Sequence, residues 1–309
     1  MSRQTKIPVT VITGFLGAGK TTFINHFLQQ NKGKQFALVE NEFGDVPIDT
    51  KLISGVDASQ MFELKQGCIC CTLTDEYELV LQELAERFPN IEHVLIETTG
   101  VADPAPVIQP FFRDENLAEL YVYIGTVCLV DALNYTTQPE KDILLKQLAI
   151  ADTILVNKSE TLPENEKADF KVTLKQINPL AEICFISHGK ANPELNHLHL
   201  KAINGVNLMA DSELHSHIQK KKLTFQHPLN RAEFLRWLDY TLDIYKNKIY
   251  RTKGILCFQG EPFEYILQGV GGSFELIEGD LILDEIKSEI VFIGRLTDVD
   301  LSFSIASPQ

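Results

Sequence analysis

The chain has 309 residues, 44% of them hydrophobic, which is enough for a large core and two domains. Its net charge of −14, with no basic run longer than Lys220 to Lys222, argues against a nucleic-acid partner. No stretch is long and apolar enough to span a bilayer and the first residues (MSRQTKIP) hold no apolar signal core, so we expect no membrane partner, a cytoplasmic location, and six cysteines present as thiols.

Val9 to Thr13 (VTVIT) is β-branched and apolar, which predicts a buried strand. Gly14-Phe15-Leu16-Gly17-Ala18-Gly19-Lys20-Thr21 follows and fits G-x-x-x-x-G-K-[ST]. Thr22 to Gln30 then has helical spacing, with Phe23, Phe27 and Leu28 on one face. Strand, glycine loop and helix form the context that a phosphate-binding loop needs. Gly14, Gly17, Ala18 and Gly19 would close backbone N–H groups on nucleotide phosphates, with Thr22 at the start of a helix whose dipole favours the anion. Lys20 would reach the β- and γ-phosphates, and the Thr21 hydroxyl would bind Mg2+.

Phe36 to Glu40 (FALVE) predicts a second strand, and Asn41 to Thr50 an acidic loop broken by Gly44 and Pro47. Two readings of Glu40, Glu42 and Asp45 stay open. They face Mg2+, the γ-phosphate or a second metal, or they belong to a solvated acidic loop. Residues 51–66 are weakly patterned. Gly67-Cys68-Ile69-Cys70-Cys71 then places three cysteines within four residues. Thiolates suit Zn2+ and Cu+, but this run cannot wrap one ion tetrahedrally by itself without strain, so another residue would have to complete the set. Small buried hydrophobes or a redox thiol pair are the alternatives. Thr72 and Asp75 look like a capping box, opening a helix with Leu73, Tyr77, Val80, Leu84 and Phe88 turned to the core.

His93 to Thr98 (HVLIET) predicts a strand that ends in Glu97-Thr98-Thr99-Gly100. A carboxylate at a strand end beside the phosphate loop is suited to order the water around Mg2+ and the attacking water. Pro104 to Phe112 begins a short helix, Thr126 to Asp131 (TVCLVD) is a strand with Cys128 in the core, and 139–151 has helical spacing. Thr153 to Val156 leads into Asn157-Lys158-Ser159-Glu160, which resembles the guanine-reading N-K-x-D with Glu in place of Asp. A carboxylate there accepts from guanine N1–H and N2–H2, a donor pair that adenine lacks. The extra methylene of Glu requires the loop to shift, and an ordinary strand exit is the alternative. Glu182 to Ser187 (EICFIS) is a further strand with Cys184 in the core, after which Ser187-His188-Gly189-Lys190 could complete a base pocket from its backbone.

Residues 1–190 therefore predict an α/β fold of the P-loop NTPase type, a mostly parallel sheet with helices on both faces. Six of the eight histidines fall between 188 and 227, with His197 and His199, and His215 and His217, spaced for i, i+2 chelation. Residues 191–222 read as a linker, either a weak metal collector or simply polar. Residues 223–309 predict a smaller α+β domain. Its helix starts at Asn230 with Glu233 and turns Phe234, Leu235, Leu238, Leu242 and Tyr245 inward. Strands are expected at Gly254 to Phe258, Tyr265 to Val270, Ser273 to Ile277 and Ile290 to Ile293, with Leu281 to Ile286 ambiguous and the face taken by Cys257 open.

Together, T-G-F-L-G-A-G-K-T-T at 13–22, E-N-E-F-G at 40–44, G-C-I-C-C at 67–71 and E-T-T-G-x-A-D-P at 97–104 resemble the CobW family of P-loop GTPases. R-x-K-G at 251–254 and V-F-I-G at 291–294 resemble that family's second domain, so the likeness runs nearly end to end. Members are metal-handling GTPases, chiefly zinc chaperones, with others linked to cobalt or to metallated hydratases. The resemblance implies that Lys20, Thr21 and Glu97 serve phosphate and Mg2+. It also implies a metal site at Cys68, Cys70 and Cys71, with Glu40 and Asp45 as oxygen ligands. Asp45 stands where the family often has Glu, which shortens its reach, Glu160 stands where Asp is usual, and the family's histidine tract is thin. The implied function is a GTP-hydrolysing metallochaperone that binds zinc at the C-x-C-C site and transfers it to a client metalloprotein, cycling between GTP and GDP. Rival readings are a zinc buffer or sensor with uncoupled nucleotide binding, a GTPase delivering cobalt or iron, and an ATP-dependent kinase, against which Asn157-Lys158 argues.

Overall fold

The structure is a computed structural model and describes residues 6–41, 49–54, 73–137, 139–191, 218–282 and 287–303. The chain divides into two compact units, one of Met1–Leu174 and Ala181–Leu200, the other of Lys175–Leu180 and Lys201–Gln309.

In chain order the first unit contains β1 (Ile7–Gly14), α1 (Lys20–Gln30), β2 (Gln35–Asn41), β3 (Asp49–Ser54), α2 (Leu73–Arg87), β4 (His93–Thr98), α3 (Ala105–Ile108), α4 (Pro110–Arg113), α5 (Glu115–Leu120), β5 (Tyr121–Asp131), α6 (Lys141–Ile150), β6 (Thr153–Asn157), α7 (Glu164–Ile177) as far as Leu174, and β7 (Glu182–Phe185). The strands form one sheet in the order β3-β2-β4-β1-β5-β6-β7. Six are parallel, and β3 pairs antiparallel with β2 at the edge. A parallel strand covered on both faces reads as a nearly unbroken apolar run, which is what Val9, Val11 and Ile12 of β1 provide. On one side Phe23, Ile24 and Phe27 of α1 pack on Ile12, Leu38, Leu95, Val127 and Leu155 of the sheet. Chain order turns back at β1, which lies between β4 and β5, and ligands of such sheets gather at the carboxyl ends of the strands beside that switch.

Several expectations are adjusted. Both ends of the loop expected over Asn41 to Thr50 are strand, since β2 reaches Asn41 and β3 starts at Asp49, and β3 runs on into the weakly patterned stretch as an edge strand with a single neighbour. The helix expected from Pro104 is two single turns, because Pro110 has no N–H to donate and starts a turn of its own. Cys184 is only half-buried, packing against the core from its margin. Tyr77, Val80 and Leu84 of α2 are buried as expected, while the capping box at Thr72 lies outside the described residues.

The second unit contains β8 (Gln219–Phe225), α8 (Arg231–Ile244), β9 (Ile249–Cys257), β10 (Phe263–Val270), β11 (Ser273–Leu281) and β12 (Ser288–Gly294). These strands make an antiparallel sheet in the order β11-β10-β9-β12-β8. The Asn230 carboxamide caps α8 by accepting from the Glu233 N–H at 3.1 Å. From there Phe234, Leu238 and Leu242 bury against Leu256, Leu267, Ile290 and Phe292. Cys257 alternates with Leu256 and so lies on the sheet face away from α8. It is buried, and its backbone N–H donates to Ser288 Oγ at 2.8 Å. β8 begins at Gln219, inside the stretch expected to be linker, so the basic run Lys220 to Lys222 is strand rather than connection.

Candidate functional site

The phosphate loop leaves β1 at Gly14, with φ 132°, where a Cβ would stand 2.2 Å from the Leu129 carbonyl oxygen of β5. Only glycine lets the loop turn that close to the sheet. Gly19 is the N-cap of α1 and has no side chain to cap it, which leaves the first-turn N–H groups suited to an anion. Lys20 is 8% exposed. Its Nζ donates to the Gly14 carbonyl at 2.9 Å and to the Phe15 carbonyl at 3.4 Å, so the ammonium is held beneath its own loop. Burial lowers its pKa, and the nearby Glu97 carboxylate opposes that shift. The Thr21 hydroxyl donates to Glu97 Oε1 at 3.2 Å, and Thr98 Oγ1 donates to Thr13 Oγ1 at 2.9 Å, tying the end of β4 to the end of β1.

Gly19, Lys20, Thr21, Glu97 and Thr98 wall a cleft of about 580 Å³ that also takes in Leu16, Thr22 and Gly100. Glu40 of β2 is the register partner of Glu97 on β4, and both line the cleft. Thr21, Glu40 and Glu97 together offer hard oxygen donors, the set that suits Mg2+.

At the other end of the loop the Asn157 side chain, 3% exposed, bridges two segments. Its Nδ2 donates to the Ala18 carbonyl at 2.9 Å and its Oδ1 accepts from the Gly189 N–H at 3.1 Å. Lys158 sits in the left-handed region, with φ 57°, and its Nζ meets Asp131 Oδ2 at 2.6 Å. Asp131 was not singled out in the sequence. Burial alone would raise its pKa, but Lys158, Asn134 and the Leu133 N–H outweigh this and hold it below the usual carboxylate value. Ser159 Oγ donates to the Ile186 carbonyl at 3.1 Å. The longer Glu160 side chain is hooked in place, its Oε1 accepting from Ser187 Oγ at 2.7 Å and from the His188 N–H at 3.1 Å. The Ser187 hydrogen bond is the leading cause that keeps this carboxyl ionised below its usual pKa. Ser187 thus contributes its hydroxyl, while the backbone contributions come from His188 and Gly189.

The structure therefore brings together Gly14, Gly17, Ala18, Gly19, Lys20, Thr21, Thr22, Glu40, Glu97 and Gly100, and beside them Asn157, Lys158, Glu160 and Ser187. Cys68, Cys70, Cys71 and Asp45 lie outside the described residues. Among the described residues no group of three or more His, Cys, Asp and Glu side chains could hold a metal. Cys128 is buried and its thiol is pushed up to about 12, which makes it core rather than ligand. No described helix is long and apolar enough to cross a membrane.

The family description "CobW/HypB/UreG, nucleotide-binding domain" matches residues 8–185, and "Cobalamin synthesis protein cobW C-terminal domain" matches residues 218–302. The zinc chaperone YjiA of Escherichia coli (strain K12) is 34% identical over 93% of this chain and 94% of its own length. The zinc chaperone CobW of Pseudomonas aeruginosa is 30% identical over 96% and 90%. The crystal structure of Zn(II)-bound YjiA GTPase from E. coli matches with a TM-score of 0.68 at 31% identity, covering 94% of this chain and 95% of that one. A Zn(II)-bound triple mutant of the same GTPase, with a glutamate and two cysteines replaced by alanine, matches with a TM-score of 0.69 at 31% identity over 96% of each chain. Both the nucleotide-binding domain and the C-terminal domain thus have their counterparts, and the chain belongs to the CobW/HypB/UreG family of P-loop GTPases.

Proposed function

We propose that the protein hydrolyses GTP to GDP and phosphate to control its hold on zinc, which it passes to a client metalloprotein. One observation carries the coupling. Glu40 and Glu97 are neighbours on adjacent strands at one cleft wall, and Glu97 already holds Thr21. In this reading nucleotide state is felt at Glu40, which we assign to zinc together with Asp45, Cys68, Cys70 and Cys71. Zinc is cargo in this reading. Thiolates favour it over harder ions, with cobalt and iron as the competing metals.

Each residue has a part. Lys20 transfers its ammonium from the two loop carbonyls to the β- and γ-phosphate oxygens, while the first turn of α1 holds the phosphates through N–H groups. Thr21 and Glu97, with Glu40 nearby, would hold Mg2+ directly or through water, where it would supply charge neutralisation at the β- and γ-phosphate oxygens. Asn157 and Glu160 read the base, and Lys158 is fixed by Asp131. No arginine lines the cleft among the described residues, so the isolated protein is expected to turn over slowly until a partner supplies a cation. In this reading residues 1–190 form the GTPase domain, and the second domain begins with β8 at Gln219 rather than at residue 223.

The test is a zinc titration against a chromophoric chelator without nucleotide, with Mg-GDP and with a non-hydrolysable Mg-GTP analogue, repeated on Cys70→Ser. A nucleotide-dependent change in affinity of about tenfold or more, roughly 1.4 kcal/mol of coupling, that disappears in the variant supports transfer driven by hydrolysis. Equal affinity in all three states means an uncoupled zinc buffer. Only the nucleotide-dependent part decides, because the triple-mutant relative still carries zinc.

Base selection has its own test. In Glu160→Ala the preference for GTP over ATP should fall by at least about tenfold, since a site built to pair two donors discriminates through them. Competition of each nucleotide against a fluorescent GDP analogue reads this directly. An unchanged preference would remove Glu160 from the base pocket.

A further inference from the structure

Gln147 of α6 is fully buried, at 0% exposure. Its Nε2 donates to two backbone carbonyls of the segment that leaves β4, Gly100 at 3.2 Å and Ala102 at 3.1 Å. The preceding residue grips the same segment. Lys146 Nζ meets Asp103 Oδ2 at 2.8 Å, and the other Asp103 oxygen accepts from the Ala105 N–H at 2.9 Å. On its opposite side Gly100 presses on the phosphate loop, where a Cβ would stand 2.5 Å from the Leu16 backbone nitrogen. The segment that follows Glu97 is therefore clamped between α6 and the phosphate loop.

The orientation of the Gln147 amide follows from its partners, because only the NH2 group can meet two carbonyls. Its Oε1 is consequently buried with no donor among the described residues, an arrangement that is unfavourable in itself. Methionine or leucine would fill the space without that cost. Packing alone does not account for an amide at this point, whereas holding two carbonyls of the cleft wall does.

We infer that Gln147 is a positioning residue for GTP hydrolysis. It fixes the Gly100 peptide beside Glu97 and Thr99, at the wall of the cleft where the γ-phosphate is cleaved. The inference rests on the GTPase reading above. Mg-GDP has no γ-phosphate, so a shift of this segment, which touches the phosphate loop only at Leu16, should reach GDP binding far less than it reaches hydrolysis.

The experiment compares full-length wild type with Gln147→Met, which keeps the side-chain volume and removes the donor. The kcat for GTP should fall by about threefold to a hundredfold, as expected for a misplaced reacting group, with Mg-GDP affinity within about twofold of wild type. A kcat loss below about threefold, or a parallel loss of Mg-GDP affinity that marks a merely structural role, overturns the inference. Should Gln147→Met fail to fold, Lys146→Met, which cuts the half-exposed link to Asp103, decides on the same two readouts. A wild-type chain with no GTP turnover sinks the GTPase reading itself, whereas normal wild-type turnover matched by the variants sinks only the role of Gln147.

Discussion

Replacing Asn157 with alanine should weaken GTP and GDP binding alike, by roughly a hundredfold, and lower the stability of the protein by about 2–4 kcal/mol. The reason is the position of its carboxamide between two loops. It donates to the Ala18 carbonyl in the phosphate loop and accepts from the Gly189 N–H after β7. Both hydrogen bonds are buried, so the alanine variant leaves an acceptor and a donor without a partner and without water. The phosphate loop and the base loop would then be free to move independently, and both nucleotides depend on the two together. Denaturant unfolding reads the stability change, and displacement of a fluorescent GDP analogue reads the affinity. The contrast with Glu160→Ala is informative, because that change alters which base is preferred, whereas Asn157→Ala should weaken every nucleotide. If Asn157→Ala retains GDP affinity within about fivefold, the coupling between the loops runs elsewhere.

Much of this site was legible in the sequence because its chemistry is local. The phosphate loop needs glycines, a lysine and a hydroxyl at consecutive positions, flanked by a strand and a helix, and all of that lies within residues 7–30. Glu97 was legible for a related reason, since a carboxylate at the end of an apolar strand has few places to go. What stayed hidden is what depends on contacts between distant positions. Asp131 is another strand-end carboxylate, but its role appears only when Lys158 arrives 27 residues later. Gln147 meets Gly100 across 47 residues, and nothing in the helical pattern of 139–151 sets it apart. β3 was missed because an edge strand has one neighbour and needs little regular alternation. Glu160 is a further case, because its carboxylate is held at the exit of β7 by Ser187 and the His188 N–H, partners that follow it in sequence by more than a helix length.

Lys20→Met should abolish most GTP hydrolysis while leaving the fold as stable as before, or more so. The loss of kcat is expected to be about a hundredfold or greater, the scale on which a preorganised charge at a developing anion acts. Lys20 has already been taken out of water. It is 8% exposed, its pKa is lowered by burial with Glu97 opposing, and its ammonium hangs on two carbonyls of the loop it serves. A buried cation is costly to hold even when it is hydrogen-bonded. Phosphate oxygens are far better partners for it than Gly14 and Phe15, and the arrival of the triphosphate supplies them. Methionine keeps the apolar stem against the core and removes the charge, so the stability penalty of the charge goes with the activity. Arginine should not rescue the enzyme, because its planar fork is wider than the space that a compact ammonium occupies beneath the loop. Single-turnover hydrolysis measured beside thermal unfolding separates the two effects. If both fall together, Lys20 is a structural prop for the loop. If activity falls while the unfolding midpoint holds or rises, the loop stores an unfavourable charge for use at the γ-phosphate, and instability in the nucleotide-free state is part of how the site works.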